Sequence, residues 1–334
     1  MTEIATTLSR LQEYLSKKDK PDSHLNPSWL AGQLGVNLRE LLTVLAEGVR
    51  DGIVEMHWEV YCPHCGIGID EFTSLQDTRS EVECAPCELH FDVHLDRDVR
   101  VTFSAVEKFR RNAGRKALAF SPIVGEPQTF TRGLDLLFIP AFFEMFSGEP
   151  PSPDESLRIG RVAILFTDLR GSTAMYAERG DPLAYRLVRD HFAILAEAVE
   201  RHQGTFIKTI GDAIMASFAS GADAVQAVFE AQTELHARAA SMGGELIVKA
   251  GVHAGSCLSV RLNERLDFFG GAVNTAARLE SLSHGNDVIV TDEVIADITA
   301  ETSESNMISL QIVESFDADL RGLPVPVRVH RLRQ

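Results

Sequence analysis

The chain has 334 residues, 45% of them hydrophobic and 24% charged, and its 32 basic and 48 acidic side chains give a formal net charge of −16. That apolar fraction supports packed cores and excludes a wholly disordered chain, while the length suggests about two to three domains. The acidic balance argues against general nucleic-acid binding, because phosphate backbones reward positive charge. The acidity is local: residues 51–100 carry three basic and twelve acidic side chains, whereas residues 1–50 carry six of each. No basic region followed by an apolar core opens the chain, and the most apolar stretch, residues 136–146 (LLFIPAFFEMF), is short and contains Pro140. The expectation is a soluble, cytoplasmic protein with no membrane segment.

Residues 1–60 read as a helical module. Asn26 is placed to cap a helix with Pro27 in its first turn, and Gly35 ends it. Asn37 caps a second helix with Leu41, Leu42, Leu45 and Val49 on its apolar side; residues 53–58 then alternate like a strand. Helix, tight turn, helix and strand resemble a helix-turn-helix or winged-helix module. Its second helix sets Arg39 and Arg50 against Glu40 and Glu47, so a packing or sensing role is favoured over contact with DNA.

Residues 61–98 contain Cys62-Pro-His-Cys65 and Cys84-Ala-Pro-Cys87, two CxxC pairs separated by 18 residues. That is the spacing of a zinc ribbon, in which two knuckles present four sulfurs to one structural Zn²⁺ per chain and leave no open position. His64, His90 and His94 lie near enough in sequence to compete as ligands, and Cys257 stands alone as a buried small residue. Residues 99–147 read as an α/β connector, with a strand at 99–103 and a basic helix at 105–115. The Pro- and Ser-rich residues 148–156 read as a linker.

Residues 157–334 form the last predicted domain. Strands at 162–166, 205–210, 213–218 and 246–252 and helices ending near Gly204 and Ala240 give the order βαββαβ, an α+β, ferredoxin-like sheet with helices on one face. In that topology the first and third strands are antiparallel neighbours. Asp168 and Asp212, 44 residues apart, then face each other. Two ionised carboxylates so placed call for a cation between them, and hard oxygen ligands suit Mg²⁺ or Mn²⁺ with phosphate oxygens. The turn Leu169-Arg170-Gly171-Ser172-Thr173 leaves backbone amides free for a polyphosphate at a helix start. Together these parts suit metal-assisted phosphoryl transfer.

Three blocks, FTDLRGST (166–173), KTIGDAIMASF (208–218) and LDFFGGAVNTAARLE (266–280), resemble the signature blocks of the class III nucleotidyl cyclases, the adenylate and guanylate cyclase catalytic domain. The resemblance implies that Asp168 and Asp212 hold two divalent ions and that Lys208 and Asp267 read the purine. It further implies that Asn274 orients the ribose and Arg278 stabilises charge on the transferring phosphate. It implies a head-to-tail homodimer, with the aspartates from one subunit and the other four residues from its partner at each site. Lys208 as donor and Asp267 as acceptor fit adenine better than guanine, so ATP is the expected substrate and 3′,5′-cyclic AMP the product. Residues 1–147 would then regulate the enzyme through an unidentified ligand or protein. The competing readings are a guanylate cyclase, and a non-catalytic nucleotide-responsive regulator acting through the winged module.

Overall fold

The computed structural model describes residues 3–17, 20–106, 130–146, 150–242, 244–302 and 310–334. It divides into two compact units, Met1–Gly160 with Leu258–Phe268, and Arg161–Cys257 with Phe269–Gln334. No described helix is long and apolar enough to cross a membrane. The basic helix expected at 105–115 lies, beyond residue 106, outside the described residues.

The first unit begins with α1 (Glu3–Ser16), α2 (Pro27–Leu34) and α3 (Leu38–Arg50). Both expected caps form: Asn26 accepts the Ser28 N–H and Asn37 accepts the Arg39 N–H. Gly35 stops α2 in the left-handed conformation at φ 61°, which glycine adopts without steric cost. Strands β1 (Val54–Tyr61) and β2 (Gly68–Phe72) precede β3 (Glu81–Cys84), β4 (Leu89–Asp92) and β5 (Val99–Ala105), and the short helices α4 (Gly133–Leu137) and α5 (Pro140–Phe146) follow. β2, β1 and β5 form one antiparallel sheet, while β3 and β4 form a separate hairpin. The strand expected in a connector is therefore β1's partner over seven residue pairs, and residues 62–98 are an insertion between paired strands.

β1 does not show the half-exposed alternation expected of it, because both of its faces are buried. One face is apolar, with Trp58 packed edge-on to Phe142. The other is a closed polar network. Glu59, fully buried, accepts from Thr102 Oγ1 (2.5 Å) and Tyr61 OH (2.7 Å) and lies 2.9 Å from His24 Nδ1; His57 stacks on His24. Burial opposes ionisation of Glu59, yet these hydrogen bonds hold its carboxyl below the usual range. The expected linker is likewise not free over its described part, residues 150–156, where Glu155 accepts the Ser80 N–H at 2.6 Å.

The second unit is built on β6 (Leu157–Leu169), α6 (Ser172–Arg179), α7 (Asp181–Arg201), β7 (Thr205–Ile210), β8 (Ala213–Phe218), α8 (Gly221–Met242) and β9 (Val248–Leu262). In chain order there follow β10 (Arg265–Phe269), which falls in the first unit up to Phe268, and then α9 (Gly271–Glu280), β11 (Val288–Thr291), α10 (Asp292–Thr302), β12 (Gln311–Ala318) and β13 (Val327–Arg333). The sheet order is β12-β13-β11-β9-β6-β8-β7, with β10 paired to β9. Its last four, β9-β6-β8-β7, are the ferredoxin-like order that the βαββαβ pattern implies. As a central strand β6 is buried on both faces from Val162 to Thr167.

Helices α7 and α8 bury Leu187, Ile194, Leu195, Val225 and Val228 against one face of this sheet, with Val288 and Val290 of β11. Ile289 points the other way, to a second cluster with Leu279 of α9. Helices thus cover both faces rather than one, because β11 alternates and α9 follows the fourth strand. The buried row of α9 is Ala272, Thr275, Ala276 and Leu279. Val273 and Ala277 are only partly buried.

Candidate functional site

Antiparallel pairing of β6 with β8 sets Thr167 opposite Ile214. Asp168, one residue past that pair, and Asp212, two residues before it, therefore meet at the same end of the sheet. Burial first, and then the Asp212 charge, hold the Asp168 carboxyl above its usual range, while Lys249 pulls the other way. Asp212 Oδ2 is buried and has no hydrogen-bond partner among the described residues. A buried carboxylate oxygen without a donor is costly, and two such acids side by side repel. The pair fits a divalent cation on the chemistry of its own donors.

The turn beyond Asp168 is more selective than its sequence suggested. Leu169 is packed into the core, and the Arg170 N–H donates to the Ile247 carbonyl. Arg170 also spends its guanidinium on the His284 carbonyl, at 3.1 Å. What is left for an anion is the start of α6: Gly171 at φ 74° is its N-cap, and no side chain caps it. The amides of Gly171, Ser172 and Thr173 are the candidates there.

Lys208 stands on β7, where a register shift between Phe206 and Lys208 sets it opposite Met215. A bulge of this kind re-aims a side chain without lengthening the partner strand. Asn274 and Arg278 share the outer side of α9, Asn274 exposed and Arg278 half-buried, and Arg278 Nη1 donates to the Asn274 carbonyl at 3.1 Å. Asp267 stands on β10 in the hairpin grouped with the first unit; it is buried, and its Oδ1 accepts the Phe268 N–H at 2.8 Å. The structure thus groups Asp168 with Asp212 and Asn274 with Arg278, and it holds Lys208 and Asp267 on separate elements.

Two charged residues at the carboxylate pair escaped the sequence reading. Lys249 Nζ lies 3.9 Å from Asp168 Oδ2 and forms a close ion pair with Glu280. The visible signal was a lone cation inside the apolar strand LIVKAGV. Burial first raises the Glu280 carboxyl, Lys249 lowers it, and Asp168 and Asp212 add to the rise. His191 on α7 is the other neighbour: it is fully buried, and neither ring nitrogen finds a well-formed hydrogen bond among the described residues.

The four cysteines of the first unit also converge. The sulfurs of Cys62, Cys65, Cys84 and Cys87 all lie within 4.8 Å of one another. Cys65 Sγ and Cys84 Sγ are 3.7 Å apart, and a tetrahedral Zn–S shell has an edge of about 3.8 Å. Burial works against ionisation of Cys62, but the backbone N–H groups of Cys65 and His64 and the neighbouring thiols bring it down to about 6. The neighbouring Cys65 thiol and then burial push Cys87 up to about 12. One thiolate thus forms readily, while Cys84 and Cys87 resist ionisation beside it. His64 approaches this group, with Nδ1 3.5 Å from Cys87 Sγ.

Comparisons with known proteins bear on the two parts separately. Residues 155–316 match the model of the adenylate and guanylate cyclase catalytic domain, and residues 2–136 match a family of unknown function, DUF5939. An adenylate cyclase of Anabaena cylindrica is 30% identical over 177 residues, 46% of this chain and 35% of that protein. An adenylate cyclase of Mycosarcoma maydis is 31% identical over 162 residues, 42% of this chain and 6% of that protein. The receptor-type adenylate cyclase GRESAG 4.3 of Trypanosoma brucei brucei is 27% identical over 212 residues, 52% of this chain and 17% of that protein. A solved adenylate cyclase from Trypanosoma brucei, in its monomeric state, aligns at 25% identity with a TM-score of 0.45, over 52% of this chain and 89% of that one. The chain thus spans about a third or less of the length of these curated relatives. Residues 155–316 are thus similar to the adenylate and guanylate cyclase catalytic domain.

Proposed function

We propose that the protein is an adenylate cyclase that converts ATP to 3′,5′-cyclic AMP and pyrophosphate, and that it works as a homodimer. The observation that carries this reading is the meeting of Asp168 and Asp212 at one end of the β6–β8 pair, with an Asp212 oxygen that has no partner among the described residues and a helix start that no described side chain caps. Asp168 and Asp212 would hold two Mg²⁺ or Mn²⁺ ions. Bound there, such cations would lower the pKa of the ribose 3′-hydroxyl and shield the triphosphate.

The chain's own residues do the rest. The amides of residues 171–173 receive phosphate oxygens at the start of α6. Lys208 donates to an acceptor nitrogen of the purine and Asp267 accepts from its exocyclic amine, a pairing that favours adenine over guanine. Asn274 holds the ribose. Arg278, a fixed fork of permanent charge, meets the negative charge that builds on the transferring phosphate. No protein nucleophile is needed, since the 3′-oxygen attacks the α-phosphorus as pyrophosphate leaves. Asn274 and Arg278 lie on the exposed side of α9, which suits service to a site completed by a second copy.

Zn²⁺ at Cys62, Cys65, Cys84 and Cys87 is proposed as a structural ion, one per chain, that holds the inserted residues 62–98 together. Residues 1–147 are proposed to regulate turnover. The test of the function is cyclic AMP formation from ATP with Mn²⁺, measured on the full chain and on Asp168→Ala and Asp212→Ala. Turnover in the parent that is lost in both variants supports the assignment; turnover retained in either variant removes it.

A further inference from the structure

Glu280 is the last residue of α9. The helix dipole disfavours a carboxylate at that end, and the side chain is only 15% exposed. Two local preferences are therefore violated at one residue, and what offsets them is the ion pair with Lys249 on β9. The same ammonium lies 3.9 Å from Asp168 Oδ2.

The contact is built into the backbone. A Cβ on Gly251 would stand 2.2 Å from the Glu280 amide nitrogen and 2.7 Å from Leu279. Only glycine lets the end of α9 rest directly on β9, and Lys249 lies two residues before it on the same strand. One ammonium thus faces two carboxylates with different tasks. An ammonium settled on Asp168 would satisfy that carboxylate and repel an arriving cation. An ammonium held by Glu280 leaves the Asp168 oxygens open.

We propose that Glu280 is a positioning residue of the metal site, retaining Lys249 away from Asp168 and thereby setting the affinity of the nucleotide-free site for a divalent cation. The inference rests on Asp168 and Asp212 being the metal ligands. The Lys249–Glu280 ion pair also links α9, which carries Asn274 and Arg278, to the carboxylate pair of its own chain.

The experiment is a Mn²⁺ titration of the full chain without nucleotide, read by the electron paramagnetic resonance signal of free Mn²⁺. It compares the parent, Asp168→Ala, Glu280→Gln, Lys249→Met and the double variant Glu280→Gln/Lys249→Met. Glu280→Gln, isosteric with the parent, weakens Mn²⁺ binding on the order of tenfold, because Lys249 moves to Asp168. Removing Lys249 as well returns binding to the parent level or tighter, a recovery that a merely structural Glu280 would not give. Parent-like binding in Glu280→Gln, or a double variant as weak as Glu280→Gln alone, overturns the proposal. Binding that Asp168→Ala leaves unchanged overturns the metal-site reading, and this inference with it.

Discussion

Thr167 on β6 lies directly opposite Ile214 on β8, and Asp168 and Asp212 each stand within two residues of that pair. The carboxylate pair therefore belongs to one chain's sheet, while Asn274 and Arg278 sit on the outer side of α9. If the two halves are joined across a homodimer, each chain can be damaged in a different half and still help its partner. Mixed Asp212→Ala and Arg278→Ala chains, each inactive alone, should recover up to about a quarter of parent activity, the statistical yield of one intact site in half of the dimers. Cyclic AMP formation by an equimolar mixture measures it. No recovery after subunit exchange is demonstrated would rule out shared sites.

His191 gives a pH dependence with a definite sign. Burial holds its imidazole down to about 4, against 6.5 in the unfolded chain. Between those values the unfolded state binds the proton and the folded state does not, so stability falls as pH falls through that window. The shift corresponds to a loss of about 3 kcal/mol at most. Replacing His191 by Phe removes this contribution. The denaturant midpoint of His191→Phe should therefore change less between pH 7 and pH 4.5 than that of the parent; parallel curves would contradict the buried neutral imidazole.

Gly251 is a position where one added methyl group meets unyielding backbone. With the Glu280 amide nitrogen 2.2 Å from the added Cβ, Gly251→Ala must push α9 off β9. Overpacking of this kind costs about 1–3 kcal/mol, a fall in melting temperature of several degrees. Gly32→Ala, where nothing lies within 4 Å of the added atom, is the matched control. Equal melting temperatures for the two variants would contradict the contact.

The four-sulfur group predicts metal content as well as stability. The full chain should carry close to one zinc per chain by elemental analysis, and Cys84→Ser/Cys87→Ser should lose it. Chelation should lower the melting temperature of the first unit, since residues 62–98 offer little core of their own. Zinc content unchanged in the double variant would remove the site.

Much of this was readable from short-range signals. Asn26, Gly35 and Asn37 act on neighbours within a few residues, so caps and helix ends follow from sequence alone. The CxxC spacing and the approach of Asp168 to Asp212 were legible because a repeated motif and a known strand order stand in for distance. The Lys249–Glu280 pair was not, because it joins a strand to a helix end 31 residues later through a contact that only Gly251 permits. The polar face of β1 escaped for a similar reason. Nothing local marks His57 and Glu59 as buried; His24, Thr102 and Ser104, brought in from other segments, close over them.

The most direct measurement offers ATP and GTP side by side, with Mn²⁺, to the full chain at several protein concentrations, and identifies the products by mass spectrometry. The expected result is cyclic AMP and pyrophosphate from ATP, little cyclic GMP, and a specific activity that rises with concentration as dimers form. Cyclic GMP as the main product would contradict the roles given to Lys208 and Asp267, and no cyclic nucleotide from either substrate would contradict the enzyme itself.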